Sequence, residues 1–103
     1  MYQGIVTMIA FIYLFLANKI SGRQLVTEID WLVSEDQIDG LPDDCIDAFD
    51  DLHEKMSLCV WDKQTYEESP GLYINEAELR DHVQAFIDQW GLMLAELICK
   101  KID

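Results

Sequence analysis

The chain has 103 residues, enough for one domain with a single modest core. It carries 20 Asp and Glu against 7 Lys and Arg, a formal net charge of −13, which argues against direct binding to DNA or RNA and favours a basic partner. Half of the residues are hydrophobic and 11% are aromatic, which excludes a disordered acidic tail.

The first predicted helix covers residues 5–18, and its residues 5–17 are almost wholly apolar, broken only by Thr7. It is shorter than the roughly 20 residues that a bilayer-spanning helix needs. It also lacks the basic start and the cleavage site of a signal peptide. We therefore expect the central helix of the core and a cytoplasmic protein, with membrane association as an alternative.

The second predicted helix covers residues 22–35. Ser21 and Gln24 form a capping-box start, and Leu25, Ile29, Leu32 and Val33 follow on one stripe. The link to the first helix is so short that the two helices are predicted to be antiparallel neighbours.

The third predicted helix covers residues 43–60 and separates into two faces when each residue is rotated by about 100°. One face is expected to enter the core: Ile46, Phe49, His53, Met56 and Val60. The opposite face is acidic: Asp43, Asp47, Asp50, Asp51 and Glu54. Residues 28–54 contain eleven acidic residues and no Lys or Arg, so we expect a basic partner to meet this surface.

Residues 62–73 lack a clear period and are predicted to be irregular. A fourth helix at residues 76–101 begins with Asn75 and Glu78 in a capping box. Its apolar seam is Leu79, Val83, Phe86, Trp90, Met93 and Leu97, with a kink or break expected at Gly91. The predicted fold is all-α, an antiparallel four-helix bundle in a single domain at residues 1–103.

No catalytic motif or metal-ligand spacing occurs in the sequence, so we expect no enzyme activity, no metal and no cofactor. Cys45, Cys59 and Cys99 are an odd number without close pairing, which fits a reducing compartment and buried core positions. His53 is expected at the core or its boundary.

Three segments resemble the colicin D immunity protein family. They are the run Leu-Phe-Leu-Ala-Asn-Lys-Ile-Ser at residues 14–21 with Glu-Ile at 28–29, Asp-Asp-Leu at 50–52, and residues 71–83. The resemblance covers roughly residues 8–90 and implies an antiparallel four-helix bundle. It also implies protection of a toxin-producing bacterium: members bind a nuclease domain that cuts a tRNA anticodon loop and cover its active site with acidic groups.

The sequence hypothesis is an immunity protein that neutralises one cognate tRNA-cleaving toxin domain, in a 1:1 complex, by mimicking nucleic acid. The expected contacts to the toxin are Asp47, Asp50, Asp51, Glu54, Asp62, Glu67 and Glu68, with Trp61 and Tyr66 as aromatic anchors; core packing is the alternative for both aromatics. The alternative functions are an acidic adaptor that binds a protein other than a toxin, or a small membrane-associated helical protein.

Overall fold

A computed structural model describes residues 3–102, with side chains for residues 3–100, and forms five α-helices within them. They are α1 (Gln3–Leu16), α2 (Gly22–Ser34), α3 (Asp43–Ser57), α4 (Lys63–Glu68) and α5 (Glu76–Ile102). The all-α prediction is confirmed, and the packing of the helices is that of a helical bundle. The short helix α4 lies where the sequence predicted an irregular stretch.

The link between α1 and α2 contains a residue in the left-handed conformation. Asn18 has a φ of 62°, and its N–H donates to the carbonyl of Phe15 at 3.0 Å while that of Lys19 donates to the carbonyl of Leu14 at 2.8 Å. These two bonds close the end of α1 as a Schellman motif. The predicted Ser21 cap of α2 is confirmed, since Ser21 Oγ accepts from the Gln24 N–H at 3.1 Å, but the return bond of a capping box, from the Gln24 side chain to the Ser21 N–H, is not among the hydrogen bonds of the described residues.

One core lies between the helices, and α5 contacts α1, α2 and α3 around it. The fully buried side chains come from all four long helices: Ile5, Met8, Ile12, Phe15, Leu25, Ile29, Cys45, Met56, Leu79, Val83 and Leu94. Within the described residues α1 contacts α2 and α5 but not α3. The bundle therefore places α1 and α3 apart, with α2 and α5 in contact with both.

The expectation that the first helix is the central helix of the core, surrounded by the others, is wrong. Val6 is 44%, Tyr13 51% and Leu14 40% exposed, because only one side of α1 faces the core. No charged residue occurs between Gln3 and Leu16, so the outer side of α1 is uncharged. No helix in the described part of the chain is both long and apolar enough to cross a membrane.

The core stripe of α3 differs from the predicted one. The buried side chains are Cys45, Phe49, Leu52 and Met56, whereas Ile46 is 39% exposed. By the 100° rotation per residue, the stripe lies about 50° from the predicted one. The helix ends at Ser57 rather than near residue 60 because Val60 N–H donates to the Ile74 carbonyl at 2.9 Å in a parallel bridge.

The last helix starts as predicted and continues without a break. Asn75 Oδ1 accepts from the Glu78 N–H at 2.8 Å, and Glu78 Oε1 accepts from the Asn75 N–H at 3.1 Å. The predicted break at Gly91 is wrong, because α5 is helical through this position. Past Phe86 the core contacts move to Ile87 and Leu94, while Trp90, Met93 and Leu97 are only partly buried.

Candidate partner-binding surface

The acidic row of α3 is exposed, and none of its carboxylates forms a salt bridge with another described side chain. Asp47, Asp50, Asp51 and Glu54 are all exposed. Among the described side chains the only ion pairs are His53 with Asp30 and Lys63 with Glu67, so none of these four carboxylates has a cationic nitrogen within 4.0 Å. Asp47, Asp50 and Glu54 therefore repel one another without a paired cation among the described side chains.

His53 lies at the boundary of the core rather than at its centre. Its Nε2 is 2.8 Å from Asp30 Oδ1, and its ring is stacked on Phe49 with centroids 6.2 Å apart and planes 3° from parallel. The contact joins α2 to α3 beside the acidic row. His53 is thus occupied by a structural contact.

Asp51 lies in a cleft between α3 and α5 that also contains positively charged or titratable groups. Lys55 and His82 line the cleft, together with Trp90, whose buried Nε1 has no hydrogen-bond acceptor among the described side chains. Asp51 therefore has less uniformly negative surroundings than Asp47 or Asp50.

Asp62 caps a helix, whereas the sequence placed it in an irregular loop. Its Oδ2 accepts from the Thr65 N–H at 2.8 Å and from the Thr65 hydroxyl at 2.6 Å. The hydrogen bonds from Thr65 hold the pKa of Asp62 below its ordinary value. This carboxylate therefore serves as the N-cap of α4. The Asp-x-x-Thr spacing in the sequence could have indicated a helix start here.

Glu67 and Glu68 are exposed but each has a partner on α4 itself. Glu67 Oε1 is 3.7 Å from Lys63 Nζ, and Glu68 accepts from Gln64 Nε2 at 2.9 Å. An exposed pair of this kind is weak, so a basic partner can replace Lys63 or Gln64 at little cost.

Trp61 and Tyr66 are half-buried and line a groove of about 580 Å³ with Arg23 and Asp62. The Arg23 guanidinium carbon lies 5.8 Å from the centroid of the Trp61 ring, and Trp61 packs against the core. A hydrogen bond with Glu78 raises the pKa of Tyr66. Both aromatics thus hold the α4 region to the bundle, and neither lies in a groove with an α3 acid.

A second groove, of about 210 Å³, was missed by the sequence analysis. Its apolar lining comes from the end of α2, the link to α3 and the start of α3: Val33, Ile38, Leu41, Ile46 and Phe49. Its charged lining is Asp36, Asp39 and Asp50. One sign of this groove was present in the sequence: Val33 and Ile46 lie at the edges of the apolar stripes of their helices, where a side chain can remain exposed.

The thiols of Cys45 and Cys59 are favoured in their neutral, protonated form. Burial raises the pKa of Cys45 to about 11, and burial with the charges of Glu76 and Glu78 raises the pKa of Cys59 to about 11. Cys45 is buried, Cys59 is half-buried and Cys99 is exposed, so the prediction of three buried cysteines holds only for Cys45. No group of three or more His, Cys, Asp or Glu in the described residues is placed to hold a metal ion.

The molecule thus presents an unneutralised acidic row on α3, with an apolar groove reaching its Asp50 side. In comparisons with protein-family models, with curated proteins and with solved structures, none matches this chain.

Proposed function

We propose that this protein is an immunity protein that binds a basic, tRNA-cleaving nuclease toxin domain and blocks its substrate groove by standing in for nucleic acid. The observation that carries the proposal is the exposed, unneutralised row of Asp47, Asp50, Asp51 and Glu54 on α3. The family resemblance of the sequence segments supports the same function. In this proposal the four long helices form the antiparallel bundle of that family, and α4 is an addition to it.

The row on α3 suits a groove built to bind a polyanion. From Asp47 to Glu54 the helix rises by about 10 Å, so the carboxylates follow one another along a line as phosphates do. Lys and Arg side chains that bind RNA phosphates would contact them instead. Opposite charges speed the encounter, with association rates up to about 10⁸–10⁹ M⁻¹s⁻¹ at low salt. Fast capture suits an inhibitor that acts in the cytoplasm before many tRNAs are cut.

The α4 region takes a secondary part in the proposal. Glu67 and Glu68 supply further exposed carboxylates on α4. Asp62, Trp61 and Tyr66 make contacts within the molecule, so in this proposal they position α4 beside the bundle.

Co-expression with a panel of basic nuclease toxin domains tests the function. We expect growth to be rescued from one cognate domain and not from its relatives, and tRNA from the rescued cells to stay intact. The matched control is the same chain with Asp47, Asp50 and Glu54 all replaced by Lys, which should fold and not rescue. If the wild-type chain rescues from none of the domains and instead co-purifies with a basic protein without nuclease activity, the adaptor alternative replaces this proposal.

A further inference from the structure

The groove between α2 and α3 combines an apolar floor with a purely acidic rim. Val33 is 37% and Ile46 39% exposed, and Phe49 closes the floor at 5%. The rim carboxylates, on Asp36, Asp39 and Asp50, are exposed and form none of the ion pairs among the described side chains. No base lines the groove, and the sequence has no Lys or Arg between Arg23 and Lys55.

The backbone around the groove is held in its conformation by local bonds. Asp36 has a left-handed φ of 56°, with its N–H bonded to the Val33 carbonyl at 3.1 Å and the Gln37 N–H bonded to the Leu32 carbonyl at 2.8 Å. Gly40 has a φ of 89°, which turns the link back toward α3. The groove is therefore a preformed feature of the α2–α3 connection, and a partner would have little to order on binding.

We infer that this groove receives an apolar side chain from a basic segment of the partner, with Lys or Arg on either side of it pairing with the rim. A surface that only imitates phosphates has no use for exposed Val33 and Ile46, whereas a stable interface needs a desolvated apolar centre within its charged rim. The charge of the rim selects the occupant: an acidic or neutral segment would leave the three carboxylates unpaired. The inference rests on the proposed function for the identity of the partner as the toxin domain.

Two synthetic helical peptides of equal positive charge test the groove on the full-length protein. One carries Lys and Leu, the other Lys and Ala, so they differ in apolar side-chain size and not in charge. We expect the Lys/Leu peptide to bind roughly tenfold more tightly than the Lys/Ala peptide, because burying the larger Leu side chain strengthens binding by about a factor of ten. Fluorescence anisotropy measures both affinities. Equal affinity for the two peptides would show attraction by charge alone and would overturn the inference.

Variants locate the binding. Ile46→Ser and Val33→Thr, the latter close in shape to the original, should each reduce the Lys/Leu affinity toward that of the Lys/Ala peptide. Leu92→Ser, at a side chain 77% exposed on α5, is the matched control and should change nothing. Amide shifts induced by the Lys/Leu peptide should centre on Val33, Gly40 and Ile46. Shifts centred instead on the outer side of α1 would contradict the inference.

The outcomes separate this inference from the proposed function. If a cognate nuclease is neutralised equally well by the Ile46→Ser chain, the groove is not the anchor site while the immunity function stands. If the groove discriminates between the peptides but no nuclease domain is neutralised, the groove stands and the immunity function falls.

Discussion

Arg80 of α5 closes the C-terminal end of α1 by contacting Phe15. Its Nη1 donates to the carbonyl oxygens of Phe15 and Leu16 at 3.1 and 3.2 Å, and its guanidinium carbon lies 4.4 Å from the Phe15 ring centroid. Glu76, one turn earlier, accepts from the Gly22 N–H at 2.5 Å at the start of α2. The first turns of α5 thus place a cation at a helix C-terminus and an anion at a helix N-terminus, as the helix dipoles favour.

Replacing Arg80 should therefore destabilise the fold although the residue lies outside the proposed binding surface. We expect Arg80→Ala to lower the free energy of unfolding by about 1–3 kcal/mol, because two carbonyls lose a charged donor. Arg80→Lys should recover part of the loss, since it keeps the charge without the planar fork. Urea denaturation measures both. Arg23→Ala is the control and should cost less, since Arg23 is exposed; equal losses for the two alanine variants would contradict the role given to Arg80.

Two helical glycines should respond in opposite ways to replacement by alanine. A Cβ on Gly4 would lie 1.7 Å from the backbone oxygen of Gln37, so Gly4→Ala must separate α1 from the α2–α3 link. We expect a loss of about 2 kcal/mol or more, as for other overpacked sites. At Gly91 the nearest atom is Ile87 Cγ2 at 3.3 Å, a movable side chain.

Gly91→Ala should consequently be neutral or stabilising by up to about 1 kcal/mol, because alanine favours the helix. Thermal unfolding of both variants by circular dichroism checks the pair. A destabilised Gly91→Ala protein would mean that the contact with Ile87 cannot relax.

Stability should fall with rising pH in the alkaline range. Burial raises the pKa of the Cys45 thiol from 9.0 to about 11 in the folded state. Between these values the unfolded chain has released the thiol proton and the folded chain has kept it, so the unfolded state binds fewer protons and stability declines. The contribution is fully present below about pH 9 and is lost as the pH rises through about 11.

Denaturant titrations at about pH 8 and about pH 10.5 measure this decline. Cys45→Ala is the informative variant. We expect it to be less stable than the wild type at every pH, but its stability should fall less steeply as the pH rises. Cys59 contributes a similar decline and is left unchanged in both proteins. An identical pH dependence with and without Cys45 would contradict the assignment.

Charge reversal on α3 should separate binding from folding. We expect Asp50→Lys combined with Asp51→Lys to slow capture of the cognate toxin domain by roughly tenfold or more and to weaken its salt dependence. Stability should be unchanged or improved, because the repulsion along the row is relieved. The control is Asp81→Lys combined with Glu96→Lys, which changes the net charge equally at exposed positions of α5. Stopped-flow association rates compare the two; equal slowing would mean that net charge, and not the α3 face, governs capture.

The sequence predicted the helices well because their starts carry explicit chemistry. Ser21 with Gln24 and Asn75 with Glu78 form their caps within a few residues of chain, so no tertiary contact was needed to recognise them. The start of α4 was missed because its cap joins Asp62 to Thr65 in a segment without an apolar period. The end of α3 depends on the hydrogen bond from the Val60 N–H to the Ile74 carbonyl, a contact across the α4 segment that periodicity does not report.

The candidate surface could be predicted only in part, because helical rotation shows which side chains face outward but not which of them a neighbouring helix covers. The exposure of Asp47 and Asp50 follows from helical rotation alone. Ile46 lies about 40° from Asp50 in the same rotation, and whether such a flanking residue enters the core depends on which neighbouring helix covers it. Here it does not, and the groove at Val33 and Ile46 is visible only once α2 and α3 are packed together.

Because α1 and α3 lie apart, negative charge is distributed unevenly over the surface of the molecule. One helix presents an outer side without any charge, and the helix that it does not contact presents the densest negative row. A body built this way experiences a torque near a positively charged surface and turns its α3 side forward before contact. In the proposed complex, a larger fraction of collisions with the toxin domain would then occur in the binding orientation, so the uneven charge itself would speed association.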